Sequence, residues 1–247
     1  MKLSVIIPVH NEKDTVEEIV RRVLAVDLDK EIIVVDDKSN DGTSEIIKNK
    51  LARLPGVRVV FMKKNHGKGF AIRAALRRVT GDVVIVQDAD LEYDPNDYKK
   101  VLAPLERGEA TVVYGSRFMH LKTLFYIRQW LGSKLLGRDC RVGHVYFANF
   151  LCIKILNLLV LLLYGQKITD EATCYKVFPA DTLRKMTLKC TRFEFCPEVT
   201  AKACKMGQRI VEVPITYKPR KTEHGKKINW KDGVAAMVTL FRFRFTD

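Results

Sequence analysis

The sequence lacks several patterns that would assign it to other classes of protein. Its six cysteines are scattered as Cys140, Cys152, Cys174, Cys190, Cys196 and Cys204. No two of them form a CxxC pair, which argues against a zinc site and favours reduced, structural thiols. A GxxxxGK[ST] phosphate loop and a GxGxxG dinucleotide motif are also absent. The amino terminus has neither the length nor the cleavage site of a signal peptide, so we expect a cytoplasmic protein.

An uninterrupted apolar stretch long enough to cross a bilayer is missing as well. Residues 145–164 are rich in leucine, but Asn149, Lys154 and Asn157 interrupt them, and the longest unbroken run is 158–164. On a helix these three polar residues fall within one arc of about 140°. Two interpretations stay open: an amphipathic helix lying in a membrane interface, or a core helix with one wet face.

No internal repeat or low-complexity linker divides the 247 residues, and an apolar content of 47% is enough for a substantial core. We therefore predict one domain over 1–247. Residues 1–116 carry 19 Lys/Arg and 19 Asp/Glu, whereas residues 117–247 carry 24 and 10, so the second part holds the whole net charge of +14. Such a basic half favours an anionic partner, namely a phosphate, nucleic acid or membrane surface, over a generally basic soluble surface.

The first part alternates apolar runs with segments of helical periodicity. The runs at 3–9, 31–37, 57–62, 82–87 and 110–116 are typical of buried strands, and the segments between them of helices. This order predicts an α/β fold with a mostly parallel sheet covered by helices on both faces. Ligands of such sheets bind outside the carboxyl ends of the strands. One cleft is therefore expected to collect Glu12, Asp36, Asp37, Lys68, Asp88, Asp90, Glu92 and Arg117.

The pair Asp88 and Asp90 directly follows the apolar run 83–87. Carboxylates at the end of a buried strand repel each other and are costly to desolvate, so water, a basic side chain or a metal ion must offset the cost. Two aspartates separated by one residue can both reach one hard cation, so we predict Mg²⁺ or Mn²⁺ carrying a phosphorylated substrate. The glycines of HGKG, at 66–69, indicate either a helix start that attracts phosphate or a simple tight turn.

Five stretches in chain order resemble one enzyme family. They are VIIPVHNE, VVDDKSNDGT, GKGFAIRAAL, DVVIVQDADLEYDP and YGSR. Together they resemble glycosyltransferase family 2, inverting nucleotide-sugar transferases of the Rossmann-like GT-A fold. The later stretches TDEATCYKVF and RIVEVPITYKPR are similar to its polyprenyl-phosphate branch. The resemblance implies a donor half at 1–116, an acceptor half at 117–229 and an amphipathic C-terminal helix at 230–247.

The resemblance also implies roles for individual residues on the donor side. It places Pro8, His10 and Glu12 along the nucleotide pocket, and Asp37 against the base. Asp88 and Asp90 straddle the metal, with Ala89 touching nucleotide or sugar through its backbone. Glu92 stands where the branch often has a metal-binding glutamine, and would add a negative charge. The site residues expected to bind donor or metal are Pro8, His10, Glu12, Asp37, Lys68, Asp88, Ala89, Asp90 and Glu92.

On the acceptor side, Arg117 and Arg128 match arginines near the donor and acceptor phosphates. Arg220 matches a basic loop that closes over the substrates, together with Lys226 and Lys227. Asp170 is the best acidic candidate of the second half. It could be a base for a hydroxyl acceptor or a group that positions its neighbours, and a plain helix-cap or loop aspartate is nearly as good an interpretation.

The leading hypothesis is a metal-dependent inverting transfer of sugar from a UDP- or GDP-sugar to polyprenyl phosphate. A phosphate monoester has a second pKa near ~6, so it needs no general base at neutral pH. The alternative is a saccharide hydroxyl acceptor, which does need one. A nucleotidyltransferase is disfavoured because a glycine-rich signature with a catalytic lysine is absent. A nucleic-acid-binding protein would leave the acidic cleft unexplained. We further expect a peripheral protein, held on the cytoplasmic face of an anionic membrane by 147–163 and the tail FRFRF.

Overall fold

The apolar runs of the sequence form the strands of a seven-stranded sheet. A computed structural model of the chain describes residues 1–119, 141–142, 145–220 and 230–246, with the backbone alone at 141–142 and 145–148. The strands in these ranges are β1 (Leu3–Val9), β2 (Lys30–Asp36), β3 (Val57–Phe61), β4 (Val83–Val86), β5 (Val112–Ser116), β6 (Arg141–Val142), β7 (Val145–Tyr146), β8 (Lys176–Pro179) and β9 (Ile210–Pro214).

The sheet has the order β3-β2-β1-β4-β8-β5-β9, with β6 and β7 as a separate antiparallel pair. Every pairing is parallel except those of β8, which runs antiparallel to both β4 and β5. The predicted α/β class with a mostly parallel sheet is therefore confirmed. Val9 pairs with Asp36, and the Gln87 N–H donates to the Ile6 carbonyl at 2.9 Å, so the ends of β1, β2 and β4 lie close together.

Strand β8 is absent from the sequence prediction. It has only four residues, so neither alternation nor length distinguishes it from a loop. Its place in the sheet is nevertheless central, because Val83 pairs with Pro179 and Val113 with Val177. The chain thus inserts a strand from its second half between two strands of the first half.

Helices cover the sheet wherever the periodicity predicts them. They are α1 (Val16–Ala25), α2 (Thr43–Asn49), α3 (Lys68–Leu76), α4 (Tyr98–Glu106), α5 (Phe147–Tyr164), α6 (Ala180–Lys185), α7 (Phe195–Lys205) and α8 (Trp230–Phe245). Helix α1 buries Val16, Ile19, Val20 and Val23, the spacing of a single face. Between β2 and β3, helix α2 ends at Asn49, and a 3₁₀ turn at Leu51–Arg53 brings Leu51 into the core.

Helix α5 packs one apolar face on the core and exposes another. Phe150, Ile153, Leu156 and Val160 are buried, whereas Leu158 and Leu162 are 52% and 71% exposed. The polar arc is not uniformly wet, because Asn157 is buried whereas Asn149 and Lys154 are half-buried. Its amide donates to the Thr169 carbonyl at 2.6 Å, and its carbonyl accepts from the Glu171 N–H at 2.9 Å. Among the described residues, no helix combines the length and apolar composition needed to cross a bilayer.

Candidate active site

The turn after β4 holds the two aspartates, and basic side chains meet both. Asp88 and Asp90 are each 20% exposed. The Lys68 ammonium contacts Asp88, and an Arg220 Nη2–Asp90 Oδ2 distance of 3.2 Å completes a second ion pair. Burial, together with the negative charges of Asp88 and Glu92, raises the pKa of Asp90 to about 7. In this structure, therefore, lysine and arginine offset the crowded carboxylates.

Beneath the aspartates lies a buried polar network that sequence reasoning missed. Gln87 is wholly buried, and its Oε1 accepts hydrogen bonds from the hydroxyls of Tyr98 at 2.7 Å and Tyr175 at 2.5 Å. Its Nε2 donates to the Asp88 carbonyl at 3.0 Å. Because every polar atom of this amide is engaged, Gln87 fixes the backbone from which the aspartates project. A single polar residue inside an apolar strand, directly before the acidic pair, is the sequence feature that could have revealed it.

The backbone N–H groups at the turn 66–69 form hydrogen bonds with other parts of the protein. The His66 and Gly67 N–H groups donate to the Asp37 carboxylate at 2.9 and 2.6 Å. The Gly69 and Phe70 N–H groups donate to backbone carbonyls of residues 192 and 191 at 2.9 and 3.0 Å. These four donors are occupied, so the geometry favours the tight-turn interpretation of HGKG over a phosphate cradle. A Cβ at Gly67, where φ is +94°, would lie 2.6 Å from the Thr191 carbonyl oxygen.

Residues predicted for the nucleotide pocket lie at the ends of β1 and β2. Pro8 is buried within β1, and His10 follows it with Nδ1 3.0 Å from the Asp37 carbonyl. Asp37 is 3% exposed and bound to the 66–69 turn. Asp36 does not face the cleft: its carboxylate accepts from Ser39 and Ser44 and caps the turn that leads into α2.

Arg220 also forms an ion pair with Glu12, which follows the end of β1. Glu12 is 7% exposed, and its two carboxylate oxygens accept from the Arg220 guanidinium at 2.8 and 3.1 Å. Arg220 therefore spans from the end of β1 to Asp90 at the end of β4. Those two acids attract its positive charge, and the pKa of Arg220 rises although burial opposes the rise.

At the end of β5, Arg117 forms a bidentate pair with Asp170. The Nε–Oδ2 and Nη2–Oδ1 distances are both 2.7 Å, and the Arg117 N–H also donates to Oδ2 at 3.0 Å. Burial lowers the pKa of Arg117, but the carboxylate of Asp170 outweighs this and the pKa is raised. The guanidinium lies 5.0 Å from the ring centre of Tyr217 and 6.0 Å from that of Tyr93.

The segment carrying Asp170 is fixed by buried polar groups. The Thr169 and Asp170 N–H groups donate to the Glu212 carboxylate at 2.7 and 3.0 Å. Next along the chain, Glu171 is wholly buried, and this burial raises its pKa to about 7. The Lys176 ammonium donates to the Glu171 carbonyl at 2.6 Å, while Glu171 Oε2 finds no hydrogen-bond partner within the described parts of the chain.

Three predicted residues, Arg128, Lys226 and Lys227, lie outside the described residues. Glu92 is described, and its two carboxylate oxygens accept from the Tyr217 hydroxyl at 2.6 Å and the Arg220 N–H at 2.8 Å. In the described ranges no group of three or more His, Cys, Asp or Glu is arranged to hold a metal ion. Asp88 and Asp90 are two carboxylates that remain partly exposed at the carboxyl edge of the sheet.

A mostly parallel sheet with paired acids after its fourth strand, and basic side chains facing them, has the architecture of the GT-A fold. The family model described as "Glycosyl transferase family 2" matches residues 4–149, which is more than half of the chain. The chain therefore belongs to glycosyltransferase family 2, and the predicted family is confirmed.

Two curated relatives and one solved structure illustrate the similarity. The low-salt glycan biosynthesis hexosyltransferase Agl6 of Haloferax volcanii is 31% identical over 224 residues, covering 90% of this chain and 49% of that protein. The undecaprenyl-phosphate mannosyltransferase of Micrococcus luteus is 28% identical over 232 residues, covering 92% and 87%. The Mycobacterium tuberculosis glucosyl-3-phosphoglycerate synthase, solved with Mn²⁺, UDP and phosphoglyceric acid, has a TM-score of 0.70 at 16% identity, covering 100% and 79%.

These comparisons differ in what they establish. The solved structure confirms the GT-A fold. Because its sequence identity to this chain is 16%, the likeness extends to the architecture alone. The chain spans 49%, 65% and 61% of the lengths of three of its relatives.

Proposed function

We propose that the protein transfers a sugar, with inversion, from a UDP- or GDP-sugar to a polyprenyl phosphate. The relative named undecaprenyl-phosphate mannosyltransferase supports the acceptor class, and the neighbour solved with UDP supports a nucleotide donor. The acidic and basic groups at the carboxyl edge of the sheet provide the cleft in which both substrates would meet.

The observation that carries the choice of acceptor is the environment of Asp170. This residue is wholly buried, and both of its carboxylate oxygens accept hydrogen bonds from Arg117. A carboxylate held in this way is poorly placed to take a proton from a sugar hydroxyl, because its basic oxygens are already engaged. A phosphate acceptor is charged near neutral pH and needs no such base. Asp170 is then a positioning residue for Arg117.

The acceptor phosphate must approach an anionic nucleotide sugar, so its charge has to be compensated. Arg117 lies at the carboxyl end of β5 with a side chain only 10% exposed. In such a partly dehydrated place a guanidinium stabilises a phosphate oxyanion more strongly than it would in bulk water. Lys68 and Arg220 add positive charge on the donor side of the cleft.

A divalent cation fits the pair of aspartates at the end of β4. Their oxygens are hard donors. Burial and the neighbouring acids raise the pKa of Asp90 to about 7, so a bound cation would stabilise its charged form. Asp88 and Asp90 would hold Mg²⁺ or Mn²⁺, which when bound would offset the charge of the nucleotide diphosphate. Lys68 and Arg220 would then be released from these carboxylates and could turn toward substrate phosphates.

The lipid acceptor implies contact with a membrane, and helices α5 and α8 offer a surface for it. They pack together, and the Tyr164 hydroxyl donates to the Leu240 carbonyl at 2.6 Å. Their outer faces carry Leu162, Trp230 and Phe245, which are 71%, 75% and 79% exposed. Exposed arginines at 242 and 244 adjoin this apolar surface. We propose reversible attachment to an anionic membrane at its cytoplasmic face.

The test offers polyprenyl phosphate and free saccharides separately, with a panel of UDP- and GDP-sugars. We expect product only with the lipid phosphate, extractable into organic solvent. The rate is then measured against pH for the wild type and for Asp170→Asn. We expect a lower rate in the variant but the same shape of profile. A protein that glycosylates only the saccharide, and loses an alkaline limb in Asp170→Asn, would use Asp170 as a base and a hydroxyl acceptor.

A further inference from the structure

The turn after β4 is tied to residues 217–220 through Glu92. The Glu92 backbone carbonyl accepts from the Lys218 N–H at 2.8 Å. Its Oε1 accepts from the Arg220 N–H at 2.8 Å, and its Oε2 accepts from the Tyr217 hydroxyl at 2.6 Å. An isolated antiparallel bridge between Tyr93 and Tyr217 adds a backbone pairing beside them. Glu92 therefore binds residues 217, 218 and 220, which belong to a segment from the second half of the chain.

That segment places a positively charged side chain at the carboxyl edge of the sheet. Arg220 ends it, and its guanidinium reaches the carboxylates of Glu12 and Asp90 at 2.8 and 3.2 Å. The Arg220 N–H is held by the same Glu92 carboxylate that Tyr217 donates to. The position of the guanidinium over the ends of β1 and β4 thus depends on an anchor located in the acidic turn itself.

We propose that Glu92 is a positioning residue that holds Arg220 over the cleft, and that it does so in place of acting as a metal ligand. Both of its carboxylate oxygens are engaged by groups of the 217–220 segment, one of them a backbone N–H that cannot turn away without moving the chain. Asp88 and Asp90 differ, because the cations they meet are the tips of long side chains. This inference rests on the proposed function in that Arg220 is taken to face substrate phosphate.

The first experiment measures the anchor directly and needs no transfer activity. Amide hydrogen exchange at 217–220, and Mn²⁺ affinity by electron paramagnetic resonance at saturating UDP, are compared for wild type, Glu92→Ala and Tyr217→Phe. Asp94→Asn is the matched control, since Asp94 lies in the same turn but caps residue 96 instead. We expect exchange at 217–220 to rise about 10-fold in Glu92→Ala and less in Tyr217→Phe, as for lost hydrogen bonds, and to stay unchanged in Asp94→Asn. Mn²⁺ affinity should not fall in any of them.

Two outcomes of that experiment overturn the proposal. One is unchanged exchange at 217–220 in Glu92→Ala. The other is a fall in Mn²⁺ affinity of about 10-fold or more in Glu92→Ala with no fall in Tyr217→Phe, the pattern of a lost ligand. Because neither measurement uses an acceptor, both remain decisive if the protein proves to glycosylate something other than a lipid phosphate.

The second experiment asks whether Glu92 acts through Arg220. It measures kcat and KM for the nucleotide sugar in Glu92→Ala, Arg220→Ala and the double variant. We expect both single variants to raise the donor KM more than they lower kcat, and the double variant to match Arg220→Ala within about 3-fold, because coupled residues are not additive. If the two effects multiply instead, Glu92 acts independently of Arg220 and the proposal fails. Tyr217→Phe, which keeps the ring and the segment, gives the same comparison should Glu92→Ala not fold.

Discussion

Two pairs of acidic residues, Asp88 with Asp90 and Asp170 with Glu171, have different surroundings. Asp88 and Asp90, in the first half, are each 20% exposed and meet the long side chains of Lys68, at the start of α3, and Arg220. Asp170 and Glu171, in the second half, are not exposed at all. Their contacts come from residues that lie in, or directly after, the strands and helices packed around them.

This difference separates exchangeable charges from fixed ones. A side-chain ion pair at the rim of a cleft is weak enough for a ligand to replace one partner. A fully buried pair is not, because removing one partner leaves an uncompensated charge in a medium of low dielectric constant. The first pair is therefore suited to binding ligands, and the second to holding Arg117 where a ligand can use it.

The sharpest test of the comparison, with the largest expected effect, removes the exchangeable acids. Asp88→Asn or Asp90→Asn should lower transfer by about 10³-fold or more, because the developing charge on the nucleotide loses its compensation. The melting temperature should change little, since both side chains are partly solvated. Transfer assays and circular dichroism melting check this, with Asp94→Asn as the control from the same turn. Full activity in EDTA would contradict the metal part of the prediction.

The next largest effect should come from breaking the fixed pair. Arg117→Ala leaves the Asp170 carboxylate buried without its partner, so we expect the free energy of unfolding to fall by about 3–5 kcal/mol. Urea unfolding measures the loss. The double variant Arg117→Ala/Asp170→Asn should recover part of it, because the stranded charge is then gone. Single and double variants of equal stability would show that the pair is not buried in solution.

Glu171 should make the free energy of unfolding depend on pH, and this effect should be of intermediate size. Burial raises its pKa from 4.5 to about 7, against the opposing charge of Lys176, so the native state retains a proton that the unfolded chain has lost. Stability from this group is present below about pH 4.5 and is lost as pH rises to about 7, by roughly 3 kcal/mol at most. Glu171→Gln should flatten this decline in urea midpoints measured from pH 5 to 8. The exposed Glu106→Gln should leave the profile unchanged, and a Glu171→Gln profile parallel to the wild type would contradict the prediction.

Periodicity was enough to predict the strands of the first half. Long buried strands such as 3–9 and 30–36 are recognisable because each fills several consecutive apolar positions. Helices between them fix their parallel direction, which brings their carboxyl ends to one edge. The same reasoning fails for β8, whose four residues have no periodicity and whose neighbours in the sheet lie far away in sequence.

Long-range hydrogen bonds account for what the sequence could not show in the site. Glu92 stands in an acidic cluster, and only the fold reveals that Tyr217 and Arg220 engage it from 125 and 128 residues away. Asn157 appears in the sequence as part of a polar arc, yet it turns inward to bind the backbone of Thr169 and Glu171. Polar residues of this kind look alike in a one-dimensional pattern whether they face water or a buried backbone.

The smallest effect on the folded protein should come from the exposed face of α5. Leu158 and Leu162 are 52% and 71% exposed, so changing either to asparagine removes little buried surface and should alter the free energy of unfolding by less than about 0.5 kcal/mol. The same changes remove apolar area from the proposed membrane contact, and the arginines at 242 and 244 supply attraction to anionic lipid. Flotation with vesicles of anionic phospholipid should therefore weaken in Leu158→Asn/Leu162→Asn and weaken further with salt. Leu54→Asn is the matched control, because Leu54 is a leucine exposed by 36% next to the 3₁₀ turn at Leu51–Arg53, in the first half of the chain. Equal flotation of both variants would show that α5 does not touch the membrane, and would leave α8 and its exposed arginines as the source of any binding.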